Sequence, residues 1–419
     1  MKEMVFSPGD RVALKTREKT WNGYILESHD PEIVLLKLKS GYNIGIRERE
    51  IISAKTLEKL KKKEEKKYSP SVREGKKNVA LIITGGTISS RLDPKTGAVV
   101  STDSDDILNI SPEMSEVCNI IKIKKPFLKL SEDMAHRDWV ELTRISVGLL
   151  NEAGIDGIII THGTDTLSYT SSALSFFIRD LNKPVALTYS QRSIDRGSTD
   201  AHLNLICAAK YAVSDIAEVC IIGHENTNDK NCLAMPGTRT RKMHTSARDT
   251  FKIINSLPVA RISKDKFEIL REFNARDNSK KAKADVKYSD KVALIKIHPG
   301  MGPSILDYYK KEGFRGIILE VSGLGHVPGK ESGKNWLPKI KNLISKGVFV
   351  FAAAQTFYGR LNPNVYSAGR NLQKTGIIFL EDMLGETAFV KLSWILGHPF
   401  WKNKVKEKML ENVAGEVSG

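Results

Sequence analysis

Few cysteines and no long apolar run set the first limits on this 419-residue chain. Cys118, Cys207, Cys220 and Cys232 are irregularly spaced and contain no C-x-x-C pair, so neither a disulfide framework nor a zinc site is expected. His136, His162, His224, His298 and His326 share no metal-ligand spacing either, and no metal is expected. No apolar stretch approaches the roughly 20 residues of a membrane-spanning helix. The opening MKEMVFSPGD lacks an apolar core followed by a small-residue cleavage site, so a cytoplasmic protein without membrane contact is expected. Phosphate-binding glycine patterns are missing too: neither G-x-G-x-x-G nor G-x-x-x-x-G-K-[ST] occurs, which disfavours a nucleotide site in this chain.

What is plentiful is positive charge. Lys and Arg total 65 against 49 Asp and Glu, a formal charge of +16. Such an excess attracts polyanions such as RNA over long range; scattered lysines on a solvated surface give the same total without a partner.

The composition divides the chain. Residues 1–55 hold short alternating runs, RVALK, WNGYILES, IVLLKLK and NIGIREREI, separated by SHDPE and KSGYN, the pattern of a small β-barrel. Trp21, Tyr24 and Tyr42 are read as barrel core. Residues 56–77 form a charged linker, helical in its first half. From residue 78, strands such as NVALIITGG, IDGIIIT, KPVALTY and IAEVCIIG alternate with amphipathic helices, which implies a parallel sheet covered on both faces. Trp139, Leu142, Ile145 and Leu149 mark one of those helices. After ARDNSKKAKADVKYSDK the rhythm restarts with VALIKIHPG, FRGIILEVSG, GVFVFAAAQ and GIIFLED, giving α/β domains at 78–287 and 288–419.

Ligands of a parallel α/β sheet collect at the carboxyl ends of its strands. Two such ends are unusual, TGGTISS and THGTDTLSYT. In the first, Gly85 and Gly86 allow close backbone approach and turn N–H groups toward an oxyanion, while Thr87 offers a nucleophilic hydroxyl. The second sets Thr164 and Asp165 at a helix start. The competing meaning of a glycine pair after a strand is a phosphate-binding turn.

These motifs resemble the threonine-dependent, bacterial-type L-asparaginases. TGGTI and HGTDT stand about 75 residues apart, SEDM lies between them, and RKMHTSARDTF places Lys242 nine residues before Phe251. The resemblance runs from residue 78 to about 400 and implies two asparaginase-like doubly wound domains behind a small SH3-like β-barrel. It implies catalytic roles for Thr87, Thr164, Asp165 and Lys242, and substrate binding by Gly86, Ser131, Glu132 and Asp165. Glu132 stands where many members carry glutamine. Arg239 and Arg241, beside Lys242, would make its ammonium easier to deprotonate. His162 is read as structural, and Ser322 and His326 as approaching the substrate across a dimer. In SSRLDPKTGAVVSTDSD, residues 89–105, the counterpart of the family's mobile flap has no tyrosine, which argues against self-sufficient activity.

Barrel, linker and asparaginase-like body together resemble the D-subunit family of archaeal glutamyl-tRNA(Gln) amidotransferases. That resemblance implies release of ammonia from glutamine or asparagine, a homodimeric core in an α2β2 assembly with the amidotransferase's E subunit, and Glu-tRNA(Gln) reached through the complex. ATP and Mg would be used by the partner, with no cofactor in this chain. The alternatives are a free-standing cytosolic L-asparaginase and a non-catalytic RNA-binding scaffold.

Overall fold

The computed structural model describes residues 6–28, 30–40, 42–59, 72–92, 99–101, 112–194 and 196–418. At the N-terminus, Arg11–Lys15, Thr20–Leu26, Ile33–Leu38, Asn43–Arg47 and Ser53–Glu58 form one antiparallel sheet, in the order fourth, third, second, first, fifth. Alternation along these strands turns Val12, Leu14, Ile25, Leu36 and Ile46 into a shared core. The fourth and fifth strands lie at opposite edges yet are joined by one short turn, Glu48–Glu50. A flat sheet of this size is about 19 Å wide, so the sheet must curl. Its fifth strand crosses the expected 55/56 boundary because it pairs with Arg11–Lys15. Trp21 packs against the core with the Lys19 ammonium 3.7 Å from its ring centre. Tyr24 and Tyr42 do not: they are 45% and 75% exposed, which corrects their assignment to the interior. Of the charged linker, residues 60–71 lie outside the described residues.

The eight-stranded sheet that follows has a parallel part in the spatial order Asn119–Lys124, Asn78–Ile83, Gly157–Thr161, Val185–Thr188, Val219–His224. Residues 79–83 are fully buried. Val79, Leu81 and Ile83 enter one core while Ala80 and Ile82 enter another, as expected of a strand with both faces covered. Beyond Val219–His224 the sheet becomes antiparallel through Asn231–Pro236, Ala260–Ser263 and Phe267–Ile269. The connection 225–230 is too short for a parallel crossover, which takes a dozen residues or more. From Asn78–Ile83 the chain moves first to one neighbouring strand and then, through the helix His136–Leu150, to the other. The order therefore reverses between Asn78–Ile83 and Gly157–Thr161, and a crevice is expected at their carboxyl ends.

The second unit has four parallel strands, Val292–Lys296, Gly316–Val321, Phe349–Ala354 and Ile378–Phe379, neighbours in chain order. It is fused to the first rather than strung after it. Phe176 and Phe177 share a core with Phe351, Leu392 and Trp394, and Lys283–Ala284 pairs with Ile178–Arg179. The charged stretch before residue 288 is thus pinned to the first unit. The Ser172 hydroxyl meets that of Thr387 at 3.1 Å, and Thr387 Oγ1 donates to the Thr238 carbonyl at 2.9 Å. Near the C-terminus the ammonium of Lys391 and the carboxylate of Glu416, both fully buried, pair at 2.6 Å. Burial lowers the Lys391 pKa while Glu416 opposes that shift. All four cysteines are buried and unpaired. No helix among the described residues is long and apolar enough to cross a membrane.

Candidate active site

Thr84 extends its strand by one residue: its N–H and its hydroxyl both donate to the Thr161 carbonyl, at 3.2 and 2.8 Å. Two glycines then turn the chain, Gly85 at φ 113° and Gly86 at φ 79°, values that side chains with a Cβ rarely adopt. Space makes the same demand. A Cβ on Gly85 would come within 2.3 Å of the Lys129 carbonyl oxygen, and one on Gly86 within 2.4 Å of Gly163 Cα. Gly163 in turn faces Ser131, whose Oγ would lie 2.7 Å from a Cβ there. Three loops, 84–87, 129–131 and 162–165, therefore touch backbone to backbone.

This contact assembles the side chains. Thr87 opens the short 3-10 turn Thr87–Ser89, half buried, and its hydroxyl has no partner among the described residues. The turn is held from behind by Ser89 Oγ donating to the Gly85 carbonyl at 3.1 Å and Ser90 Oγ to that of Gly86 at 2.7 Å. Ser131 is buried; its hydroxyl oxygen accepts the Asp165 N–H at 3.1 Å, leaving its own proton free to donate. The Thr166 hydroxyl donates to the Ser131 carbonyl at 2.6 Å. Lys242 arrives on another element, the strand Thr240–Lys242, and places Nζ 2.7 Å from Thr164 Oγ1 and 2.6 Å from Asp165 Oδ1. Thr164, Asp165 and Lys242 thus form one cluster, with Gly86 and Ser131 against it. Glu132 is adjacent in sequence but exposed, with no partner among the described residues. Asp133 is exposed as well. The helix His136–Leu150 is capped instead by Asp138, which accepts the Ala135 N–H at 2.8 Å and meets the Lys129 ammonium at 2.5 Å.

Beneath the cluster, a buried relay fixes Gly163. The Trp139 indole, a donor only, reaches Thr170 Oγ1 at 3.0 Å, and Thr170 Oγ1 meets His162 Nε2 at 2.9 Å. The Gly163 carbonyl, 2.6 Å from Nδ1, can only accept, so the single proton of the neutral imidazole sits on Nδ1. Nε2 is then the acceptor of the Thr170 hydroxyl proton. Burial lowers the His162 pKa to about 4, so the ring is neutral at pH 7 and serves as a brace.

Other parts fall elsewhere. Ser322 and His326 close a tight turn by mutual backbone hydrogen bonds at 3.0 and 2.9 Å. Of residues 89–105, Ser90–Leu92 pairs with Val99–Ser101, while 93–98 and 102–105 lie outside the described residues. A cavity of about 440 Å³, lined among others by Arg179, Glu218, Arg271 and Gly415, includes none of the clustered side chains.

Comparison with known proteins decides the lineage. Family models match in three places: "Asparaginase, N-terminal" at 78–275, "Glutaminase/Asparaginase C-terminal domain" at 291–409 and "GatD N-terminal domain" at 6–57. The chain is 44% identical over 396 residues to the D subunit of the glutamyl-tRNA(Gln) amidotransferase of Pyrococcus furiosus, covering 94% of this chain and 89% of that one. With its namesake from Methanococcus maripaludis it is 41% identical, over 98% of both chains. The chain belongs to the D-subunit family of glutamyl-tRNA(Gln) amidotransferases. Solved structures of L-asparaginases share its body: that of Thermococcus kodakarensis is 31% identical with a TM-score of 0.71, covering 82% of this chain and 99% of that one. For Vibrio cholerae L-asparaginase I the figures are 26%, 0.69, 82% and 100%.

In this member of the D-subunit family, Arg239 and Arg241 do not press on Lys242, which corrects the expectation from their adjacency. Successive residues of a strand face opposite ways, and the two guanidinium groups turn toward the second domain. Arg239, buried, meets Asp382 at 3.1 Å and donates to the Gly415 carbonyl at 2.8 Å. Arg241 pairs with Glu386 and lies 4.5 Å from the Phe357 ring centre. Around that pair the acids are crowded. Burial, then Glu386, raises the Glu320 pKa, and burial with Glu386 takes Tyr169 to about 12. The strand that aims Lys242 is thus fastened from behind by carboxylates more than 140 residues later in sequence. Nothing local in sequence marks Asp382 or Glu386 for this task.

Two outcomes follow. Glu386→Ala removes the acid paired with Arg241 and leaves Glu320 as the remaining carboxylate near it, and should cost about 1–2 kcal/mol in urea unfolding; ammonia release should fall mainly through kcat, whereas Glu386→Asp should retain part of it. His162, depressed from 6.5 toward 4, adds stability that is complete above pH 6.5 and is lost as pH falls toward 4. From pH 6.5 to 5 the loss should be about 1.5 kcal/mol, and a His162→Asn variant should lack this component in urea titrations at the two pH values.

Proposed function

We propose that this chain is the ammonia-generating component of a glutamyl-tRNA(Gln) amidotransferase, acting on glutamine or asparagine with Thr87 as nucleophile. The observation that carries the reading is the contact of Gly86 with Gly163, which sets a threonine hydroxyl that has no partner among the described residues beside a lysine–threonine–carboxylate cluster. Thr87 Oγ1 attacks the side-chain amide carbon and the oxyanion is met by the N–H groups of the glycine turn. Collapse of the tetrahedral species breaks the C–N bond; the nitrogen takes a proton and leaves as ammonia, and Thr87 holds the acyl group as an ester. Water, deprotonated with the help of Lys242 and Thr164, adds to the ester carbon and returns the free acid and the threonine hydroxyl. Ser131 Oγ donates to the substrate's α-carboxylate, and Asp165, with Glu132 at the rim, holds its α-ammonium.

The relatives' name points to the rest of the reaction. A partner, the E subunit of the amidotransferase, uses ATP and Mg to activate the γ-carboxylate of Glu-tRNA(Gln), and the ammonia formed here converts it to Gln-tRNA(Gln). This chain itself needs no cofactor. Two copies form the core of an α2β2 cytoplasmic assembly. A flap without tyrosine leaves Thr87 short of an activating group, which fits a site completed only in the complex. The free-standing L-asparaginase reading shares Thr87, Thr164, Asp165 and Lys242 but leaves the N-terminal module and the flap without a role.

The test is a reconstituted complex carrying Thr87→Val. Glutamine-dependent formation of Gln-tRNA should drop by more than about 10³-fold while added ammonium still supports it; persistence of the glutamine-dependent reaction removes Thr87 from the mechanism. In the same assay the parent chain alone should release ammonia far more slowly than the complex with Glu-tRNA, and equal rates would end the gating idea.

A further inference from the structure

The curled N-terminal sheet buries one face, and its other face is not neutral. Strand pairing sets Arg11 opposite Tyr24, and Tyr24 opposite Lys37. Directly opposed side chains stand about 5 Å apart, so an exposed aromatic ring lies between two cations in a row across three strands. Lys15 shares this face further along the first strand, and Lys55 joins it opposite Ala13. Arg11, Lys15 and Lys55 are exposed and form no ion pair or side-chain hydrogen bond with any described residue. One carboxylate, Glu58, enters the row opposite Arg11. Other acids of the module, Glu27, Asp30, Glu32, Glu48 and Glu50, stand outside the strands, in its turns. At the end of the row Lys37 faces Asn43, beside Tyr42, whose ring is 75% exposed.

Cations alternating with exposed rings match a nucleic-acid strand, whose phosphates need charge and whose unstacked bases need an aromatic platform. An acidic protein surface would answer the charge and leave Tyr24 and Tyr42 without use. We infer that the outward face of the N-terminal sheet holds an unpaired stretch of RNA, with phosphates on Arg11, Lys15 and Lys55 and a base stacked on Tyr24. The inference rests on the proposed function only in taking tRNA as the RNA.

Fluorescence anisotropy of a labelled tRNA(Gln) transcript against the full-length chain, between 50 and 200 mM salt, tests it. Tyr24→Ala should weaken binding about tenfold and Tyr24→Phe should restore it. The double variant Arg11→Gln, Lys55→Gln should lower the slope of log affinity against log salt by about 1.4. Absence of tRNA binding by the parent chain, or an unchanged slope, overturns the inference. Loss of affinity in the double variant with Tyr24→Ala at parental affinity also overturns it, and marks the face as a site for an acidic protein. Glutamine hydrolysis by the reconstituted complex at saturating Glu-tRNA should stay at the parental rate in every variant. RNA binding lost with hydrolysis intact in the parent removes this inference alone; Tyr24-dependent binding without hydrolysis removes the amidotransferase reading alone.

Discussion

The close approach of Gly86 to Gly163 is the constraint on which the candidate active site hangs. Neighbouring parallel strands are about 4.8 Å apart, and the loops leaving two of them can press backbone on backbone only where neither carries a Cβ. A side-chain carbon on Gly86 would sit 2.4 Å from Gly163 Cα, a distance no repacking of flexible atoms relieves. Because the loops do touch, Thr87, Thr164, Asp165 and Ser131 come from three distant segments to one place. The strand order reverses there, so no crossover helix covers the spot.

Charge in the site is managed by separation across a strand. Lys242 faces Thr164 and Asp165, while Arg239 and Arg241 face Asp382 and Glu386. Each cation has an acid of its own, so three closely spaced positive charges do not accumulate on one side. The residue beneath the site, His162, is treated in the opposite way. With no acid beside it among the described residues, burial keeps the ring neutral and its two nitrogens are used as one donor and one acceptor. A protonated imidazole there would have to reverse the bond from Thr170, while its Nδ1–H would still donate to the Gly163 carbonyl.

The α/β body is shared with L-asparaginases, as the 82% coverage of this chain by the Thermococcus kodakarensis structure indicates. What this chain adds to that body is the N-terminal module at residues 6–57. The N-terminal sheet is small, with a core of only a few aliphatic side chains, and little of its surface is spent on folding. Its outward face is therefore free to carry function in its exposed side chains. Ammonia is a small, neutral, freely diffusing product, and a chain that makes it for a partner gains from holding that partner's substrate close.

The alternating runs of residues 11–47 and the buried strands at 78–83, 157–161, 185–188 and 219–224 were legible in sequence, because apolar periodicity is imposed by burial on one face or both. The turn of Thr87 and the pair Thr164 and Asp165 also stood out, as glycines and hydroxyls at strand ends; Lys242 was singled out only by the family resemblance, because a basic run by itself looks like a solvated face. The antiparallel extension was not legible, because strand direction depends on the length of the connection and not on the strand's own residues. Nor was the exposure of Tyr24 and Tyr42, which in so small a sheet is settled by register. Sequence by itself determined the two fold types and the glycine turn that ends the strand before Thr87. The tertiary structure alone decided which way Arg239 and Arg241 point, which acids meet them, and which cations flank Tyr24, because each depends on contacts between residues that the chain brings together only after the sheets have formed.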